Sequence, residues 1–130
     1  MVDETKSRIL IIEDEDAYGD LLEIKLVREG YAISRARNGK EGLTMALQEH
    51  PRIILLDLKM PKADGVEVLK LLRGDSWGKD VEVMILTNIE DSNQAREAVE
   101  YGVDNYFIKS DLEIKKIVEK IKDLCPVNNI

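Results

Sequence analysis

The sequence predicts an α/β fold: a parallel five-stranded sheet, doubly wound between two layers of helices. Short apolar runs alternate five times with amphipathic segments of helical length, the pattern of βα units rather than of an antiparallel sheet. Runs such as Ile53-Ile54-Leu55-Leu56 are apolar at every position, as in a strand covered on both faces. A chain of 130 residues holds one hydrophobic core of ordinary domain size. Right-handed crossovers then make a three-layer sandwich the natural product.

Each element has its own signal. Arg8 to Glu13 is the first strand, and a helix follows to about Glu29. In that helix Ala17, Leu21, Ile24 and Arg28 recur at helical spacing, and Gly30 is placed to end it. Ala32 to Ala36 is a more polar strand, as suits a sheet edge. The second helix, about Lys40 to Glu49, tolerates Gly42 in its interior and stops at Pro51. Arg52 to Asp57 is the third strand. Asp64 can cap the helix carrying Val66, Leu69, Lys70 and Leu72, with loop from Gly74 to Gly78. Val81 to Thr87 is the fourth strand. Asp91 or Ser92 caps a helix running to Tyr101, and Gly102 follows it. Asn105 to Ile108 is the fifth strand. The last helix starts at Ser110 or Asp111 and buries Ile114, Ile117, Val118 and Ile121.

Composition removes several function classes. The net charge of −7 argues against direct nucleic-acid binding by this chain. No apolar run is long enough to span a bilayer, and Met1 to Lys6 lacks the basic and apolar regions of a signal peptide. Cys125 is the only cysteine, so no internal disulfide forms and a reducing cytoplasm fits.

Ligands of open α/β sheets bind at the carboxyl ends of the strands, where strand order reverses. The first strand ends in Glu13-Asp14, the third in Asp57 and the fourth in Thr87, and Lys109 follows the fifth. Taken singly, these residues mean little. Glu13-Asp14 with Glu15 and Asp16 reads as an acidic helix start favoured by the macrodipole, and Asp57 as a strand-end cap. Their joint placement is what points to chemistry. Carboxylates this close repel, and a hard divalent cation such as Mg²⁺ relieves the repulsion. An aspartate can attack phosphorus; Lys109 and Thr87 can grip phosphoryl oxygens.

Four stretches are now decisive: Ile9-Leu10-Ile11-Ile12-Glu13-Asp14-Glu15, Asp57-Leu58-Lys59-Met60-Pro61-Lys62-Ala63-Asp64-Gly65, Ile85-Leu86-Thr87 and Gly102 to Lys109. Together they resemble the response-regulator receiver family of two-component signalling, over residues 8 to about 124. The resemblance implies a flavodoxin-like sheet of order 2-1-3-4-5, an extension over 1–7, a receiver over 8–124 and a tail over 125–130. It implies that Asp57 accepts a phosphoryl group from a sensor histidine kinase or a histidine phosphotransfer domain. It implies Mg²⁺ held by Asp14, by Glu13 through water, by Asp57 and by the main-chain carbonyl of Lys59. Thr87 and Lys109 hold the phosphoryl oxygens, and Thr87 with Tyr106 forms the switch to the outer surface. Ala17, Tyr18 and Leu21 are candidate kinase contacts. The face of the fourth helix, fifth strand and fifth helix is the family's output and homodimer surface. Asn105, where dimerising relatives carry an acid, weakens that dimer.

Three departures stand out. Ser110 replaces the usual proline after the lysine, and a cis bond before serine costs about 3–4 kcal/mol, so a trans bond is expected. Asn88 replaces a small residue and narrows access to Asp57. Lys59 overhangs the site and pairs with Glu13, with a partner's carboxylate, or with water alone. Other signals are weaker. Gly74 to Lys79 lacks the spacing and the Ser/Thr of a phosphate-binding loop. His50 caps a helix end, Trp77 packs over its loop and Cys125 is an inert thiol.

An aspartyl-nucleophile phosphohydrolase is the alternative function, but Lys59 stands where such enzymes carry a second acid. An FMN carrier lacks its phosphate loop after the first strand, where Glu13-Asp14 would repel phosphate.

Overall fold

The computed structural model of the chain describes residues 8–58, 60, 65–88 and 92–127, apart from the side chains of Ser92 and Asp111. The expected Lys59 carbonyl ligand, the Asp64 and Asp91 caps and the 1–7 extension lie outside the described residues. Five strands and five helices alternate: β1 Arg8–Ile12, α1 Asp16–Arg28, β2 Ala32–Ala36, α2 Gly39–Glu49, β3 Ile53–Asp57, α3 Gly65–Arg73, β4 Glu82–Thr87, α4 Ser92–Glu100, β5 Asn105–Ile108 and α5 Asp111–Leu124. All strand pairs are parallel, in the order β2-β1-β3-β4-β5. Strand order therefore reverses between β1 and β3.

The alternation of side chains along each strand divides the core in two. Leu10, Ile12, Ile54, Leu56, Val83 and Ile85 pack with Ala46 of α2, Val68, Leu69 and Leu72 of α3 and Ala98 of α4. Ile9, Ile11, Ile53, Leu55, Met84 and Leu86 pack with Leu22 and Leu26 of α1 and with Ile114, Ile117 and Ile121 of α5. β1 and β3 are covered on both sides, so their apolar runs are continuous. No helix among the described residues is long and apolar enough to cross a membrane.

The structure corrects the face of α1. Gly19, Leu22 and Leu26 are its buried residues, whereas Ala17 and Arg28 are exposed and Ile24 is half-exposed. A second stripe at helical spacing wins because Gly19 opens a notch for the Arg35 guanidinium, which pairs with Asp20 at 2.9 Å. Helix α2 begins one residue earlier than predicted, since the Asn38 side chain accepts from the Glu41 amide at 2.8 Å and caps it. Its interior glycine has a packing reason. A Cβ on Gly42 would meet three Ile12 side-chain atoms at 2.5–2.9 Å. Ser110 caps α5, accepting from the Glu113 amide at 3.3 Å.

The candidate site lies at one end of this sheet, and two sequence signals belong at the other. His50 closes α2 in the left-handed conformation, φ 51°, and stacks on Trp77 with ring centroids 4.4 Å apart. In the loop 74–79 the Asp75 carboxylate takes the amides of Trp77 and Gly78, at 2.9 and 2.8 Å. Those amides are committed to the loop's own turn.

Candidate metal and phosphoryl site

Backbone pairing carries three strands one residue beyond their ends. The Glu13 amide donates to Ala36 O (3.0 Å), Leu58 to Leu86 O (3.2 Å) and Lys109 to Thr87 O (2.8 Å). These bonds fix Glu13, Asp57, Thr87 and Lys109 along one edge of the sheet, with Glu13 and Asp57 on the two strands flanking the order reversal. Gly65 lets α3 start hard against this edge. Its amide donates to Leu58 O at 2.8 Å, and a Cβ there would meet Asp57 O at 2.5 Å.

Glu13, Asp14 and Asp57 each place a carboxylate oxygen within 4.8 Å of the others, Glu13 and Asp57 buried and Asp14 half-buried. Among the described residues, one ammonium answers them. Lys109 Nζ donates to Glu13 Oε2 at 3.0 Å, to Asp57 Oδ2 at 3.3 Å and to Glu15 Oε1. The Tyr18 ring lies beneath it, 5.5 Å from Nζ to centroid. Burial works against the Lys109 charge, but hydrogen bonds to Glu15 and Glu13 and the charge of Asp57 hold its pKa above that of an ordinary lysine. Burial pushes the Glu13 carboxyl up, opposed by the Glu15 amide, by Asp57 and by Lys109. Glu13 Oε1 is buried and accepts no hydrogen bond from a donor among the described residues. Next to Asp57, that oxygen needs either a shared proton or a cation. The residues therefore fit a hard divalent ion: oxygen donors only, few of them, and one donor unmet.

Thr87, buried at the end of β4, donates to Asn88 O at 3.0 Å. The Tyr106 hydroxyl donates to Val103 O at 3.1 Å, and its ring packs on the α2–α3–α4 side of the sheet. Thr87 and Tyr106 share that face, since Tyr106 is opposite Ile85 and Ile108 opposite Thr87 in the β4–β5 register. The bond from Lys109 to Ser110 is trans. Ala17 is exposed, and Tyr18 and Leu21 are partly buried against the α1–α5 layer. Sequence reasoning missed Glu15 as a partner of Lys109 and missed the buried Arg35. The signal for Glu15 was a long acid at the N-cap of α1, where a short Ser, Thr, Asp or Asn caps better.

Known proteins resemble this chain in sequence and fold. Residues 9–122 match the response regulator receiver domain family. The chain belongs to that family. A probable transcriptional regulator, ycf27, from Porphyridium aerugineum is 34% identical over 131 residues, covering 96% of this chain and 53% of that protein. A solved putative response regulator from Chloroflexus aurantiacus superposes with a TM-score of 0.83 at 27% identity, over 92% of this chain and 97% of that one. The phosphorylated cyanobacterial phytochrome response regulator RcpA gives 0.79 at 27% identity, over 91% and 92%. The receiver spans about half the length of the curated relatives it matches. It is a two-component response-regulator receiver with the 2-1-3-4-5 sheet its sequence implies.

Proposed function

We propose that this receiver accepts a phosphoryl group on Asp57 from the phosphohistidine of a sensor histidine kinase or histidine phosphotransfer domain, in a Mg²⁺-dependent reaction, and so switches a protein-binding face. The convergence of Glu13, Asp14 and Asp57 with Lys109 at the sheet's order reversal is what supports it most. A bound Mg²⁺, held by Glu13, Asp14 and Asp57, supplies the charge neutralisation that lets a phosphoryl anion approach carboxylates.

The chain's own groups do the rest. An Asp57 oxygen attacks phosphorus, forming the P–O bond as the P–N bond to imidazole breaks and the imidazole leaves with the electron pair. Lys109 donates to the transferred oxygens, where a preorganised ammonium gains most by being nearly buried. Thr87 turns its hydroxyl from Asn88 O to the phosphoryl group. Tyr106, on the same face, then moves into the space that turn opens, which couples the site to the α4–β5–α5 surface. Ala17, Tyr18 and Leu21 lie on α1, Tyr18 beneath Lys109, and are our candidate contacts for the donor protein. On this reading residues 8–124 form a cytoplasmic receiver that catalyses only its own phosphorylation and dephosphorylation. Relatives of about twice its length are named transcriptional regulators, so control of transcription is the output we favour for a protein that carries it.

The test is an intact mass after incubation with Mg²⁺ and acetyl phosphate, for the parent and Asp57→Asn. One phosphoryl group on the parent, abolished by EDTA added before the donor and absent from the variant, is expected. Labelling of Asp57→Asn at the parental rate, or no beryllofluoride binding by the parent, sinks the reading. Steady turnover of a small phosphate ester would instead favour a hydrolase.

A further inference from the structure

We propose that Glu15 is a positioning residue that competes with the phosphoryl group for Lys109 and so holds back phosphorylation of Asp57. The inference rests on the phosphoacceptor reading above and concerns how that same site is regulated. An ammonium has three N–H donors, and Glu13 Oε2, Asp57 Oδ2 and Glu15 Oε1 accept them. Two of these acceptors cannot leave. Glu13 is fully buried and Asp57 is 1% exposed, so neither carboxylate can exchange the ammonium for bulk water. The Glu15 side chain is 60% exposed and exchanges the ammonium for water at little cost.

Two further observations tie Glu15 to this task. Its amide donates to Glu13 Oε2 at 3.0 Å, so its backbone is anchored to the same carboxylate that holds Lys109. It also stands at the N-cap of α1 yet makes no side-chain cap bond, reaching Lys109 across 94 residues of sequence instead. A phosphoryl group on Asp57 brings nearly two negative charges and three acceptor oxygens. To engage it, Lys109 must free a donor, and Glu15 is the acceptor that gives way. Until then the Glu15 carboxylate both occupies the lysine and repels the incoming anion.

Calorimetric titration of beryllofluoride with Mg²⁺ present, on the parent, Glu15→Gln and Glu15→Asp, tests this alongside labelling rates with acetyl phosphate. Glu15→Gln is expected to bind about two- to fivefold tighter and to label faster in proportion, the size set by one partly exposed ion pair. Glu15→Asp keeps the charge but is one methylene shorter, so it shifts in the same direction. Equal affinity in all three chains overturns the proposal. A gain in Glu15→Gln with none in Glu15→Asp also overturns it, by reducing the effect to the local field. Weaker binding by Glu15→Gln would mean that Glu15 presents Lys109 rather than withholds it. A parent that binds no beryllofluoride fails at the earlier step and takes this inference with it.

Discussion

Lys109 is the residue on which the site's stability turns. Among the described residues it is the only cation within bonding distance of two carboxylates that water hardly reaches. Ion pairs elsewhere, such as Arg37–Asp16 and Lys116–Glu113, are mostly exposed, and such pairs contribute little. Removing one partner of a buried pair is different, because the other charge stays behind unpaired. Lys109→Ala is therefore expected to destabilise the chain by about 3–5 kcal/mol in urea unfolding at neutral pH. Combining it with Glu13→Gln removes the stranded charge, so the double variant should lose clearly less than the sum of the two single losses. Additive losses would show that Lys109 stabilises through packing on Tyr18 instead. Glu15→Gln, at an exposed position, should move the thermal midpoint by no more than about 2 °C.

At the level of elements, α2 is held by a close approach. Alanine in place of a helix-interior glycine ordinarily gains about 0.5–1 kcal/mol, but a Cβ at Gly42 meets Ile12 at 2.5 Å. Overpacking outweighs propensity there. Gly42→Ala should cost about 1–3 kcal/mol in urea unfolding, and Ile12→Val in the same chain should recover part of it. Much of this level was legible beforehand. The continuous apolar runs of β1 and β3 mark central strands because burial on both faces leaves no polar side, and strand ends named the site because α/β sheets bind there. What stayed hidden depended on partners distant in sequence. Helix α1 carries two apolar stripes, one through Leu22 and Leu26 and one through Leu21 and Ile24, and the buried one shares its face with Gly19, whose lack of a Cβ makes room for Arg35. Glu15 resembled any acid at a helix start until the pairing of β5 with β4 brought Lys109 to it. A second tie between distant elements predicts an alkaline limit. The Tyr31 hydroxyl donates to Cys125 O at 2.7 Å, joining β2's entry to the end of α5, and burial first, then the charges of Cys125 and Glu29, push its pKa up to about 12. A phenol that ionises at about 10 when unfolded then favours the folded chain below that pH, and the advantage is lost as pH rises towards 12. Unfolding midpoints should fall over pH 10–12 in the parent, and more shallowly in Tyr31→Phe, which starts lower for want of the hydrogen bond. Parallel curves for the two chains would remove Tyr31 as the cause.

For the whole molecule, the acidic balance and the site act together. A net charge of −7 raises the local concentration of cations, but screening by monovalent salt cannot reach oxygens as enclosed as Glu13 Oε1. A divalent ion that enters the cluster binds the folded chain and has no preformed site in the unfolded one, so its binding energy appears as stability. At ten times its dissociation constant the gain is about 1.4 kcal/mol, and each further tenfold adds about as much. For a domain of this size that is a rise of roughly 5 °C in thermal midpoint. MgCl₂ should therefore raise the midpoint with a logarithmic dependence on concentration, while KCl at matched ionic strength should not. Asp14→Asn removes one of the three carboxylates without uncovering the core, since Asp14 is only half-buried. That variant should retain the parental midpoint in EDTA and lose most of the Mg²⁺ response. An equal response in parent and Asp14→Asn would place the ion elsewhere on an acidic surface, and the cluster at the end of β1 would then be an ion-pair network organised by Lys109.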